Sequence, residues 1–266
     1  MSSQAEPVAV SGARWTAAEM MTIAAARALP DGATCLVGIG LPSTAANLAR
    51  RVHAPGLVLV YESGTIGAKP EYLPLSIGDG TLAETADAVV GLVEIFNYWL
   101  QPGRIDVGFL GAAQVDRFAN INTTVIGPSY ASPKVRLPGA GGAPEIATSC
   151  AEVIIVTRQT RERFVERVDF VTSFGHGRGG DERRRLGLKG RGPTQVITDL
   201  GMYEPDPETR ELVLTRVHPG ITAAAAQAAT GWELRVSATL GTTPSPTEEE
   251  LHVLRELEAA RPGAEH

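Results

Sequence analysis

Hydrophobic residues fall along this chain in short continuous runs, each followed by a stretch with helical spacing or by a turn. Runs over residues 34–39, 57–61, 105–110, 123–126 and 153–156 are too short for membrane spans and too uniform for half-exposed strands. The run 57–61, Leu-Val-Leu-Val-Tyr, is the pattern of a strand covered on both faces. Separated by helix-like segments, these runs predict an open α/β fold: a largely parallel sheet with helical crossovers.

Helix signals support the same rhythm. Thr16 and Glu19 have capping-box spacing and precede an apolar face of Met20, Ile23, Ala24 and Ala26, which should end near Pro30, Asp31 and Gly32. The strand over 34–39 runs into Gly38, Gly40 and Pro42, and a helix follows over 45–52. Beyond about Val171 the texture changes. Gly175, Gly177, Gly179 and Gly180 form a flexible stretch, and runs over 195–198 and 212–215 flank a turn-rich segment, so antiparallel additions to the sheet are expected in the C-terminal third. A last helix is expected to start at Ser245, with Pro246 in its first turn and Glu248 closing a capping box, and to present Leu251, Leu254 and Leu257 on one side. With no internal repeat or linker, the expected organisation is one domain over residues 16–260 between tails at 1–15 and 261–266.

The chain has 266 residues, 43% of them hydrophobic, with 24 basic against 30 acidic side chains and a formal charge of −6. That balance excludes a disordered chain and argues against general nucleic-acid binding, which needs a concentrated basic face. The one basic run, Arg183-Arg184-Arg185, reads as a solvated loop beside Asp181 and Glu182. No run of about 18 uncharged apolar residues occurs, and the first twelve residues lack a signal-peptide pattern, so no membrane association is expected. Cys35 and Cys150 lie within hydrophobic stretches and read as buried thiols in a reducing cytoplasm.

Candidate chemistry sits at the ends of the predicted strands. Gly38-Ile39-Gly40 occupies the place of a dinucleotide fingerprint, but Pro42 interrupts the turn and Ser43 replaces the third glycine, so a plain strand-to-helix turn is favoured. Glu62 is expected at the carboxyl end of a buried strand, where open α/β sheets have their ligand crevice. It is followed by Ser63 and Gly64. Residues 138–143, Pro-Gly-Ala-Gly-Gly-Ala, precede a helix-like segment, and their backbone N–H groups suit an anion or a developing oxyanion. Gln114, Asp116, Asn120 and Asn122 gather after another strand. His176 and His218 lack partners at metal-ligand spacing, so no metal is expected, and no Gly-x-Ser-x-Gly elbow supports a serine hydrolase.

The order of these signals is more specific than any one of them. Residues 38–42 (Gly-Ile-Gly-Leu-Pro), 62–67 (Glu-Ser-Gly-Thr-Ile-Gly) and 139–143 (Gly-Ala-Gly-Gly-Ala) resemble the beta subunits of family I coenzyme A transferases. Those subunits carry a Gly-x-Gly-x-Pro turn, a Ser-Glu-Asn-Gly motif and a late Gly-x-Gly-Gly-Ala loop in this order. Residues 60–64, 75–80, 106–117 and 120–124 resemble more narrowly the branch acting on 3-oxoadipate in bacterial aromatic-compound degradation, the glutaconate branch being more distant. Tyr61 replaces the motif's serine and Ser63 its asparagine, while the glutamate is kept. A steroid ring-cleaving hydrolase of the same architecture lacks a carboxylate there, so Glu62 favours transfer over hydrolysis.

The resemblance implies that Glu62 is the nucleophile, carrying coenzyme A from succinyl-coenzyme A to a 3-oxo dicarboxylate as a covalent glutamyl thioester. Gly38, Gly40, Ser63, Gly64, Gly139, Gly141, Gly142 and Ala143 become candidates for binding coenzyme A or an oxyanion. Gln114, Arg117, Lys134 and Arg136 become candidates for gripping the acceptor. An alpha subunit on a separate chain is implied, without which the beta chain should be inactive. No cofactor is expected to stay bound, since the coenzyme A thioester is itself a substrate.

Overall fold

The computed structural model describes residues 14 to 261. The expected tails lie, apart from residues 14, 15 and 261, outside the described residues. Ten strands form the main sheet: β1 (Thr34–Val37), β2 (Val58–Val60), β3 (Thr65–Ile66), β4 (Ala88–Val89), β5 (Val107–Gly111), β6 (Glu152–Val156), β7 (Pro193–Ile197), β8 (Gly201–Pro205), β9 (Leu212–Val217) and β10 (Arg235–Thr242). Their spatial order is β10-β9-β8-β7-β6-β5-β1-β2-β3-β4. The centre, β7-β6-β5-β1-β2, is parallel throughout. Antiparallel pairing adds β8 and β9 on one side, in the C-terminal third as expected, and β10 returns parallel to β9. On the other side β3 and β4 also pair antiparallel, an addition the sequence pattern did not announce.

Strand alternation divides the core into two layers. Cys35, Val37, Leu59, Tyr61, Val107 and Phe109 point to one face. There they meet the helices α1 (Ala17–Arg27), α2 (Leu41–Val52) and, from the far end of the chain, Glu248–Ala259, through Met20, Ile23, Leu48, Leu251, Leu254 and Leu257. Leu36, Val60, Leu110, Val153 and Ile155 point to the other face, against Ile146, Ala147 and Cys150 of a short helix, Ala143–Ser149, here α3. The last helix is α4. The capping box of α1 forms as the spacing predicts, Thr16 accepting from the Glu19 N–H at 3.1 Å and Glu19 accepting from the Thr16 N–H at 2.7 Å.

Three local expectations need correction. The α4 helix begins two residues later than expected, with Thr247 as its cap and Glu250 closing the box, because Glu250 also pairs with Arg27 of α1 at 2.6 Å and that register ties the two helices together. The run over 123–126 does not join the main sheet; Val125–Ile126 pairs only with Val135–Arg136 in a separate hairpin. Arg183 is not solvated. It is 7% exposed, and its guanidinium donates to the carbonyls of Ala147 at 2.9 Å, Lys189 at 2.7 Å and Gly175 at 3.1 Å. Burial pulls its pKa down to about 10. Arg184 and Arg185 do face solvent, both pairing with Asp181.

The approach of α3 to the sheet depends on one glycine. A Cβ at Gly108 in β5 would stand 2.6 Å from Ile146 Cγ2 and 2.9 Å from Cys150 Sγ. Its absence lets α3 lie close against the strands. That brings the loop before α3 to the carboxyl edge of β2.

Candidate active site

The polypeptide leaves β2 through Tyr61, Glu62, Ser63 and Gly64 and turns back directly into β3. The turn is closed by Gly64 N–H to Tyr61 O and Tyr61 N–H to Thr65 O, both at 3.0 Å. Gly64 has φ +118°, and a Cβ there would overlap the carbonyl oxygen of Val90. Only glycine fits against that backbone. Alternation then separates the two neighbours: Tyr61 enters the helical layer fully buried, its hydroxyl 3.1 Å from Ser43 Oγ, while Glu62 turns to the α3 face. The Tyr61 hydroxyl is pushed up from its ordinary pKa mainly by burial.

Glu62 is half-buried in a cleft of about 480 Å³ that it shares with Leu92, Phe96, Gln101, Gly141, Gly142, Pro144 and Glu145. The Gly142 N–H donates to Glu62 Oε2 at 3.1 Å. Among the described residues Oε1 accepts no hydrogen bond, which leaves it as the free oxygen. A methyl group on Gly142 would stand 2.6 Å from Phe96 Cζ and closer still to Glu62 Oε2, so the carboxylate and the phenyl ring both rest against a bare Cα. Phe96 belongs to a six-residue π-helix, Ile95–Leu100, whose ends Ile95 and Leu100 are fully buried.

The glycine-rich loop divides its N–H groups. Gly139 donates to Thr123 O at 2.9 Å, and its own carbonyl accepts from the Thr123 hydroxyl at 2.8 Å, which pins the start of the loop. Ala143 donates to Ala140 O at 3.1 Å. Gly142 faces Glu62. The Gly141 N–H has no acceptor among the described residues, and a Cβ on Gly141 would lie 3.7 Å from Glu62 Oε1. This loop therefore offers one occupied and one open donor beside the carboxylate.

The other candidates take different places. Gly38 donates to Phe109 O at 3.4 Å as β1 ends, and Gly40 is the exposed cap residue of α2, so this segment is a strand-to-helix turn with the Gly38 donor engaged. The Gly64 N–H is likewise engaged in its turn. Ser63 Oγ is buried without a hydrogen-bond partner.

None of the four acceptor-gripping candidates lines the Glu62 cleft. Gln114 is buried, accepting from Asn122 Nδ2 at 2.8 Å and the Asp169 N–H at 3.2 Å. Arg117 is held by Glu211 at 2.6 Å and Glu166 at 3.7 Å, beside a separate cleft. Lys134 is exposed, and Arg136 lies exposed over the Tyr130 ring at 4.8 Å. Sequence reasoning missed Leu92, Phe96, Gln101 and Glu145. The first three lie on a segment with no strand, cap or motif signal, and Glu145 was visible only as part of the helix after the glycine loop.

His176 and His218 are both buried, with Nε2 donating to Pro193 O at 2.8 Å and to Thr198 O at 2.7 Å. Burial draws the His176 pKa down to about 4 and lowers that of His218. No group of three or more potential metal-ligating side chains occurs among the described residues. No described helix is long and apolar enough to cross a membrane.

A glutamate at the carboxyl edge of a parallel sheet, met by a glycine-loop N–H and flanked by an open one, is built for acyl chemistry on a carboxylate. Residues 18–227 match the sequence profile of the family described as Coenzyme A transferase. The chain belongs to that family. It is 62% identical over 248 residues to a 3-oxoadipate CoA-transferase chain of Pseudomonas knackmussii, the second of that enzyme's two subunits, covering 93% of this chain and 95% of the relative. The solved structure of glutaconate coenzyme A-transferase from Acidaminococcus fermentans superposes with a TM-score of 0.86 at 32% identity, over 94% of this chain and 96% of that one. The cholesterol ring-cleaving hydrolase IpdB subunit of Mycobacterium tuberculosis is 26% identical over 245 residues, 90% of this chain and 93% of the relative.

Proposed function

We propose that this chain is the beta subunit of a two-chain coenzyme A transferase that moves coenzyme A from succinyl-coenzyme A to 3-oxoadipate through a glutamyl thioester on Glu62. The observation that carries this reading is the pairing of a half-buried Glu62 carboxylate with the Gly142 N–H at 3.1 Å in an otherwise solvent-accessible cleft. The 62% identity to a chain of a 3-oxoadipate CoA-transferase supports the substrate and the companion alpha chain.

A carboxylate attacking a thioester must expel a thiolate and form an anhydride, and routing the exchange through an enzyme carboxylate divides that into easier steps. Glu62 Oε1 attacks the carbonyl carbon of the donor thioester; the C–S bond breaks and an acyl-glutamyl anhydride forms. The released thiolate attacks Glu62 Cδ, the donor acid leaves as its carboxylate, and a glutamyl thioester remains. The acceptor carboxylate reverses the sequence. No proton is lost or gained.

The two loop donors suit the two kinds of tetrahedral intermediate. The Gly141 N–H, open beside Oε1, meets the oxyanion on the substrate carbon. When thiolate adds to Cδ the charge appears on Oε2, which the Gly142 N–H already holds, so no donor has to reorganise. No resident cofactor is required, because coenzyme A enters and leaves as substrate. Cys35 and Cys150 are free and buried, the Cys150 thiol pushed up to about 12 by burial, which fits an unreactive pair in a reducing cytoplasm.

The test is to assemble the chain with its alpha subunit, supply succinyl-coenzyme A without acceptor, and seek a coenzyme A adduct at Glu62 by peptide mass spectrometry. The adduct is expected, and the Glu62→Gln protein should lose transfer activity by at least about 10³-fold. Undiminished exchange in that variant sinks the reading. Supplying 3-oxoadipate, glutaconate and other dicarboxylates in parallel identifies the acceptor, with 3-oxoadipate expected to give the highest kcat/KM.

A further inference from the structure

A glutamyl thioester has a competing fate. Water can add its oxygen to Cδ; the C–S bond then breaks, free coenzyme A leaves as the thiol, Glu62 regains its carboxylate and one proton goes to solvent. Net transfer requires that water be scarce on the face of Cδ from which attack is possible. The chain places one group there that neither donates nor accepts hydrogen bonds.

We propose that Phe96 is the residue that holds transfer above hydrolysis, by covering the Glu62 carboxyl carbon on the Gly142 side. The inference rests on the reading of Glu62 as the thioester-forming residue and goes beyond it. Three observations support it. The Phe96 ring and Glu62 Oε2 are packed against the same bare Cα, that of Gly142, the ring so near that a methyl there would be 2.6 Å from its Cζ. Phe96 and Leu92 supply the apolar wall of the cleft, while Gln101 and Glu145 make its polar wall. The ring is carried on a π-helical turn rather than an α-helical one.

The π-turn fixes where the ring points. Its i→i+5 bond from the Gln101 N–H to Phe96 O is 2.9 Å, and a further bond of that spacing runs from the Arg104 N–H to Trp99 O at 2.9 Å. One extra residue per turn rotates the side chains relative to an α-helix, and such insertions gather at functional positions. Here the turn keeps Ile95 and Leu100 fully buried in the core and delivers Phe96 to Gly142 between them. An apolar ring at this point occupies the volume that water would otherwise fill next to Cδ, and the polar wall remains open for an acceptor acid. Phe96 acts on the partition of the intermediate, so its signature is a ratio and not a rate.

The experiment uses the assembled two-chain enzyme with Phe96→Ala and Phe96→Leu. Free coenzyme A release and acyl transfer are measured together at saturating acceptor, and the lifetime of the Glu62 adduct is followed without acceptor by mass spectrometry. The hydrolysis-to-transfer ratio is expected to rise about tenfold in Phe96→Ala and less in Phe96→Leu, with a matching fall in adduct lifetime. A purely structural role would lower both reactions together and leave the ratio alone. A ratio and lifetime unchanged in Phe96→Ala overturn the proposal; should that variant fail to assemble, an unchanged ratio and lifetime in Phe96→Leu do so. Absence of any adduct in the unaltered enzyme would remove the Glu62 reading instead, so the two failures are distinguishable.

Discussion

At the scale of single residues the site is governed by what is missing from Gly142. Its φ of −82° is open to any L-residue, so the backbone itself does not require glycine. The requirement is steric, set by Phe96 and Glu62. Gly142→Ala is therefore expected to fold with a midpoint close to that of the parent while transfer activity falls about 10²-fold, because displacing a reacting group by roughly 1 Å has that effect. Parallel thermal melts and steady-state kinetics check it; equal losses in both would refute the steric account. The sequence made the glycine loop and Glu62 visible, through a run of small residues and a carboxylate at a strand end. It left open which N–H faces which oxygen, since that depends on a contact across 80 positions. It also made Arg117 and Arg136 look available, whereas one is paired with carboxylates and the other lies over a tyrosine ring.

At the scale of elements, strands buried on both faces were legible because they are continuous apolar runs, and β1, β2, β5, β6, β7 and β9 follow the expected runs closely. Two-residue strands such as β3 and β4 carry no periodicity to read. A π-turn is equally silent, because its spacing belongs neither to the helix nor to the strand pattern. Arg183 was misjudged for a related reason: in a run of three arginines, nothing local tells which one points inward. It ties the carbonyl of Ala147 in α3 to the loops at Gly175 and Lys189. Arg183→Met should leave those acceptors without a donor and lower the unfolding free energy by about 3 kcal/mol, with Arg183→Lys intermediate. Urea denaturation measures this, and a loss within about 0.5 kcal/mol would show the carbonyls finding other partners.

For the molecule as a whole, buried neutral histidines set the response to acid. The His176 pKa is about 4 in the fold against an ordinary 6.5, and that of His218 is also lowered, both chiefly by burial. Below pH 6.5 the unfolded chain takes up protons that the folded chain refuses, so stability is full above that value and declines as pH falls toward 4. Asp116 works in the opposite sense, its pKa raised by burial, but only where carboxylates titrate. Glu19 and Glu250, both lowered, add to the loss below about pH 4.5. Urea midpoints between pH 8 and 4.5 should therefore decrease with acidification, and His176→Asn should flatten the slope. A slope unaffected by that change would assign the acid sensitivity elsewhere.

One peptide unit joins Tyr61, locked among the helices, to Glu62 in the cleft on the sheet's opposite side. Slackening of the helical stratum during heating would reach the nucleophile through that single link while most strands stay paired. Turnover should then fade at lower temperatures than circular dichroism does, so this catalyst would wear out before it melts.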